Sequence, residues 1–265
     1  MQINERLYHL INGLQCIFLK HCITYTKAIQ RENMNKLFAG DLDRTQIINN
    51  LLLIPKAERN AQWREKFLNN VIDAKFSCGD PQILKGPDGY YYLNLLFPET
   101  HGQTSTVVIR QLMDDLIDRG IGAAINPHQN PDWVFTSGDI LNYKLNSEFY
   151  TATPNFDLEK EEVIQKEEEV LVGQPSEVYL PLPARNSIRN FLLQLNIENP
   201  KILLLARTKP QGMLQELAFN ITRSDFDEDK DFDYAMQSVS WFLPSHYTVI
   251  SLSMDSNVGD SFMPL

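Results

Sequence analysis

Apolar positions in the second half of the chain alternate between two periods. "EEVLVG" (168–173) is a short apolar run and reads as a strand. Ile188, Phe191, Leu192 and Leu195 then recur at helical spacing, with Pro181 and Pro183 suited to the first turn. "KILLLAR" (201–207) is continuous and apolar between Pro200 and the turn "TKPQG", as a buried strand is. "ELAFNIT" (216–222) puts Leu217, Phe219 and Ile221 on one face, so it reads as a half-buried strand pairing with its predecessor. Phe232, Met236, Val239 and Leu243 return to the helical period, which Pro244 ends. "TVISLSMD" alternates again through Ile250, Leu252 and Met254. The order β-α-β-β-α-β predicts a split βαβ, or ferredoxin-like, unit, with an antiparallel sheet and both helices on one face.

The first half repeats this order loosely. A strand over 88–97 follows the turn Pro87-Asp88-Gly89. Ile109, Leu112, Met113, Leu116 and Ile117 form a helical stripe that stops at Gly120. "IGAAINP" and "DWVFTS" read as strands, and "SGDILNYKL" as a helix capped by Ser137. The expected class is therefore α+β: two split βαβ units behind a helical N-terminal segment. The expected divisions are a helical segment over 1–80, a first α+β domain over 81–152, an acidic linker over 153–168 and a second α+β domain over 169–265. The best helix of the leading segment carries Trp63, Phe67 and Val71 on one side. Leu7, Leu10, Ile11, Leu14 and Phe18 form another stripe. Packing on its own domain is the preferred reading of that stripe, and a homo-oligomer or partner docked through this helix is the sharper one. Met34 offers a second start.

Charge narrows the partners. A net charge of −10 without a Lys/Arg cluster argues against nucleic acid and anionic membrane surfaces, both of which need basic stripes. The early apolar stretch is interrupted by His9, Asn12, Gln15, Lys20 and His21, so no membrane span is expected. Cys16, Cys22 and Cys78 are odd in number, and the five histidines lack ligand spacing. Reduced thiols in a cytoplasmic protein without a cofactor or metal fit best.

The run "RSDFDEDKDFDYAM" (223–236) tests that view, with Asp225, Asp227, Asp229, Asp231 and Asp233 at every second position. An EF-hand loop starting at Asp225 would need glycine where Lys230 stands and glutamate where Met236 stands. Carboxylates at the start of a helix, favoured by its dipole, are the better reading.

No catalytic constellation emerges. Cys78 with His101 or His128 is a candidate nucleophile and base, but nothing around it resembles a cysteine hydrolase. Tyr90, Tyr92, Trp133 and Trp241 are candidates to line a binding groove, since Tyr and Trp combine an apolar body with a polar tip. His246, between a helix end and a strand, is a fifth candidate.

Several phrases carry a family resemblance. "VLVGQPSE", "PKILLLAR", "ELAFNI", "ISLSMD" and "GDSFMPL" in the second half, and "WVFTSGD" in the first, resemble the enhanced-serine-sensitivity (SseB-like) family of bacterial proteins over residues 80–265. The resemblance implies a two-part α+β cytoplasmic protein with no established reaction and no catalytic residues to transfer. The expected function is a non-enzymatic module that binds a protein partner or regulates it. The alternative is a hydrolase or small-molecule-binding enzyme using Cys78 or a histidine in a cleft between the two domains.

Overall fold

Capping side chains set where the first helices begin in the computed structural model, which describes residues 40–97, 106–128, 130–152, 170–209 and 212–265. The Asp41 carboxylate accepts the Arg44 amide at 3.0 Å and starts α1 (Leu42–Leu52). Asn60 Oδ1 accepts the Trp63 amide at 3.0 Å and starts α2 (Ala61–Val71). Each satisfies an amide that the first helical turn leaves without an internal partner. α2 buries Trp63, Phe67 and Val71, the stripe read from the sequence.

The first sheet follows. β1 (Lys75–Lys85) and β2 (Tyr91–Leu96) form an antiparallel hairpin, and β3 (Thr106–Val108) pairs on the far side of β1. α3 (Ile109–Arg119) ends at Gly120, whose φ of 60° is the left-handed cap that glycine supplies. It leads to β4 (Gly122–Ile125), parallel to β2, and then to antiparallel β5 (Trp133–Phe135) and α4 (Ser137–Asn146). The cap of α4 is Thr136 rather than Ser137: Thr136 Oγ1 accepts the Asp139 amide while Asp139 accepts the Thr136 amide.

One expectation for this half changes. Residues 75–80 are strand, so the boundary drawn at residue 80 falls inside β1. The breaker-rich stretch "GDPQ" concealed it. The pairing register shifts between Cys78 and Ile83, so a bulge takes up those residues, and Asn94 Nδ2 fills it by donating to the Pro81 carbonyl at 3.0 Å.

The second sheet is built from β6 (Val170–Gly173), β7 (Lys201–Lys209), β8 (Gly212–Phe219), β9 (Thr248–Ser251) and β10 (Met263–Pro264). α5 (Leu182–Gln194) joins β6 to β7, and α6 (Asp229–Trp241) joins β8 to β9. The described chain is therefore α+β, with six helices and two five-stranded mixed sheets. The strand order is not that of a split βαβ unit. β6 lies directly beside β7 and antiparallel to it, β7 and β8 are a hairpin, and β9 is parallel to β8. Periodicity identifies strands, but neighbours across a helix are chosen by helix packing, which it does not encode.

A repeat does exist at the level of topology. Helix, hairpin, helix and a strand parallel to the hairpin's second arm occur as α2-β1-β2-α3-β4 and again as α5-β7-β8-α6-β9. Each hairpin's first arm is flanked in turn, by β3 in one sheet and by β6 and β10 in the other.

Gly40–Leu265 form one compact unit. α3 packs on α5 and α4 on α6, so the helices of the two halves meet. One buried cluster runs from Ile48 and Phe67 through Leu116 and Ile188 to Ile202 and Phe219. Each such side chain contributes roughly 1.5–3 kcal/mol by leaving water. The other face of the second sheet buries Leu203, Leu205 and Ala218 beneath Phe262 of the C-terminal tail.

The acidic run is the approach to a helix. Thr222 and Asp225 cap each other around a 3-10 turn, and α6 begins at Asp229 with Asp229 and Asp231 in its first turn. Arg223 reaches Asp229 at 3.2 Å and Asp233 at 3.5 Å; these side chains are more than half exposed, so the pairs stabilise little. Among the described residues no group of acidic, His or Cys side chains is arranged to hold a metal, and no helix is long and apolar enough to cross a membrane. The stripe Leu7–Phe18, Cys16, Cys22, His101 and the acidic segment 153–168 lie outside the described residues.

Candidate functional site

Three of the five candidate binding residues converge, although about 150 positions separate them in the chain. The turn closing the β1–β2 hairpin positions the first two. Gly89 has a φ of 92°, a backbone conformation open to glycine, and Asp88 Oδ1 accepts the Tyr90 amide at 3.2 Å. Tyr90 is thereby laid on α6. Its ring stacks on Trp241 with centroids 4.3 Å apart, and its hydroxyl donates to Ser238 Oγ at 2.7 Å. Tyr92 meets the same indole edge-on at 5.8 Å. Trp241 Nε1 donates to the Tyr92 hydroxyl at 3.2 Å, which in turn donates to the Asp88 carboxylate at 2.5 Å. Burial pushes both phenols above their ordinary pKa, so both remain protonated donors across the working range.

Glycines bring the two halves close on either side of this cluster. A Cβ on Gly120 would overlap the Phe242 ring, and one on Gly138 would overlap the Leu243 carbonyl. Ser187 of α5 donates to the Ile117 carbonyl at 2.6 Å, adding a bond from the second half to an acceptor that the Gly120 amide also engages at the end of α3. Tyr90, Tyr92 and Trp241 are therefore a joint between the two halves, with their polar tips matched to one another. The sequence marks the aromatic residues but not their partners Asp88 and Ser238, which are ordinary turn and helix residues until the chain folds.

Trp133 belongs to a different cluster. It packs 5.1 Å from Phe67 and 5.9 Å from Trp63, with the Arg64 guanidinium over its ring at 5.8 Å and over Tyr150 at 4.9 Å. Below them Asp139 is buried, and burial raises its carboxyl pKa against the lowering effect of the Thr136 amide. Cys78 is 8% exposed and faces the core from β1, while His128 is exposed on the loop after β4.

His246 is half-buried between α6 and β9, edge-on to Tyr247 at 4.7 Å. Tyr247 stacks on Tyr179 at 4.3 Å and donates to its carbonyl at 2.6 Å. Burial pushes the His246 imidazole below its usual pKa, against the opposing pull of the Glu148 carboxylate. A histidine whose folded pKa is depressed leaves stability intact above the unfolded value and removes it below. Folding stability is thus expected to fall as the pH drops through about 6.5, and a His246→Gln chain to lose that part of the slope in urea titrations.

One charged pair escaped sequence reasoning. Arg207 on β7 meets Glu216 on β8 in a two-point pair, Nε to Oε2 at 2.6 Å and Nη2 to Oε1 at 2.7 Å, with both side chains under 5% exposed. The available signal was a charge at each end of the hairpin's apolar runs, in "KILLLAR" and "ELAFNI".

Comparison of the chain with protein-family models, with curated proteins and with solved structures finds no match.

Proposed function

We propose that this chain is a non-enzymatic protein-interaction or regulatory module of the SseB-like kind, acting on a protein partner in the bacterial cytoplasm. One observation carries the reading. Of twelve large apolar side chains exposed among the described residues, three (Leu42, Leu53, Val134) precede residue 153 and nine follow residue 169. The two halves are of similar length, so the second half presents more apolar side chains to solvent; two of them, Leu171 and Met263, share one face at the edge of its sheet, and an exposed apolar edge supports a binding role. The aromatic joint does not compete for this role, because its rings and polar tips already engage one another.

The test is reconstitution. Cross-linked capture of the tagged full chain from its native cells should return a protein that re-forms a saturable complex from purified components. Failure to reconstitute any partner, together with turnover of a metabolite by the pure chain, would reverse the reading.

A further inference from the structure

Sheet edges are normally guarded by a charge, a proline, a bulge or a covering element, because unpaired strand amides recruit other strands. The outer edge along β7 is made of two pieces laid end to end. β6 faces Leu204–Arg207, and β10 faces Lys201 and Ile202. The Gln174 side chain links the pieces by donating to the Ser261 carbonyl at 2.9 Å. β6 reads Val-Leu-Val-Gly, with no charge and no proline, and a Cβ on Gly173 would meet nothing within 4 Å. β10 carries Pro264, which has no amide to donate, so the edge offers its hydrogen bonds through β6 and Met263. Leu171, opposite Ala206, and Met263, opposite Ile202, lie on the same face of the sheet and are 56% and 55% exposed. No described strand pairs with the outer side of either piece.

We propose that the β6–β10 edge is a strand-addition site whose occupant is an extended segment of a partner protein, apolar at alternate positions and basic at its flanks. This rests on the interaction-module reading above and gives that module its surface and its class of ligand. Alternation follows from the geometry. An added strand places every second side chain on the face of Leu171 and Met263, while its backbone supplies the missing hydrogen bonds. Basic flanks follow from charge, since the chain carries −10 overall.

A second copy of the chain is the poorer occupant. Two copies at −10 each repel.

The probe is a labelled synthetic nonapeptide, Arg-Arg-Val-Thr-Val-Thr-Val-Arg-Arg, titrated into the full chain. It should bind saturably. Proline at its central valine, glutamate for its arginines, or Leu171→Lys or Met263→Lys in the protein should each weaken it about tenfold or more. Both positions are exposed, so the variants should keep the wild-type circular dichroism; Met254→Lys, in the same half but off the edge, should bind as wild type. Hydrogen exchange should slow within 170–173 and at Met263 on binding. Absence of binding, or binding indifferent to the proline peptide and to both edge variants, overturns the site. A concentration-dependent dimer abolished by Leu171→Lys overturns the choice of occupant. If wild type and Leu171→Lys reconstitute equally well with a captured partner, the interaction-module reading survives and the edge assignment falls.

Discussion

Arg207→Met should destabilise the chain by about 3–5 kcal/mol, while the double variant Arg207→Met with Glu216→Leu should return to within about 1 kcal/mol of wild type. The pair crosses the β7–β8 hairpin diagonally, on the face that buries Leu203, Leu205 and Ala218 under the C-terminal tail. Both side chains are withdrawn from water, so their attraction offsets a desolvation cost of several kcal/mol per ion. Removing the arginine leaves that cost at Glu216 without its two-point partner. Removing both charges removes the cost as well, and two apolar side chains suit a face that is otherwise apolar. Urea midpoints at constant m-value read the difference. A double variant as unstable as the single one would show that the pair contributes net stability.

Gly138→Ala should cost about 3 kcal/mol, the upper range for forcing a methyl into a packed site. Local propensity points the other way, since alanine is favoured over glycine inside a helix by about 1 kcal/mol. The packing effect wins because the methyl would overlap the Leu243 carbonyl, which is backbone and cannot turn aside as a side chain would. Gly173→Ala is the matched control. A Cβ there meets open space, so its effect should stay within about 0.5 kcal/mol. A neutral Gly138→Ala would mean that α4 does not rest on the chain beyond α6.

Legibility in the sequence followed the range of the physics. α5, β7, β8 and α6 were readable because their apolar spacing is a local property of one face. The start of α6 was readable too, since the acidic run fails the calcium-loop pattern at Lys230 and Met236 and suits a helix N-terminus. β1 was hidden because Gly79, Asp80 and Pro81 look like a break, and only pairing with β2 turns them into a bulge. β3 is three residues long and carries too little pattern to register. The placement of β6 against β7, across the intervening α5, is a non-local pairing that no window of sequence contains. For the candidate site, residue type was legible and partnership was not. Tyr90, Tyr92 and Trp241 were singled out as amphipathic aromatics, yet whether such a ring faces a ligand or another ring depends on contacts between residues far apart in the chain.

If those three residues are a joint, the two halves share one fate. Equilibrium unfolding in urea tests this directly, with tryptophan emission from Trp63 and Trp133 in the first half and Trp241 at the joint, and far-ultraviolet circular dichroism reporting both halves throughout. A single transition is expected, superimposable by the two signals, with Trp241→Ala shifting both midpoints down together. Two separate transitions in the wild-type chain, the emission change complete while helix and strand signal remains, would contradict it.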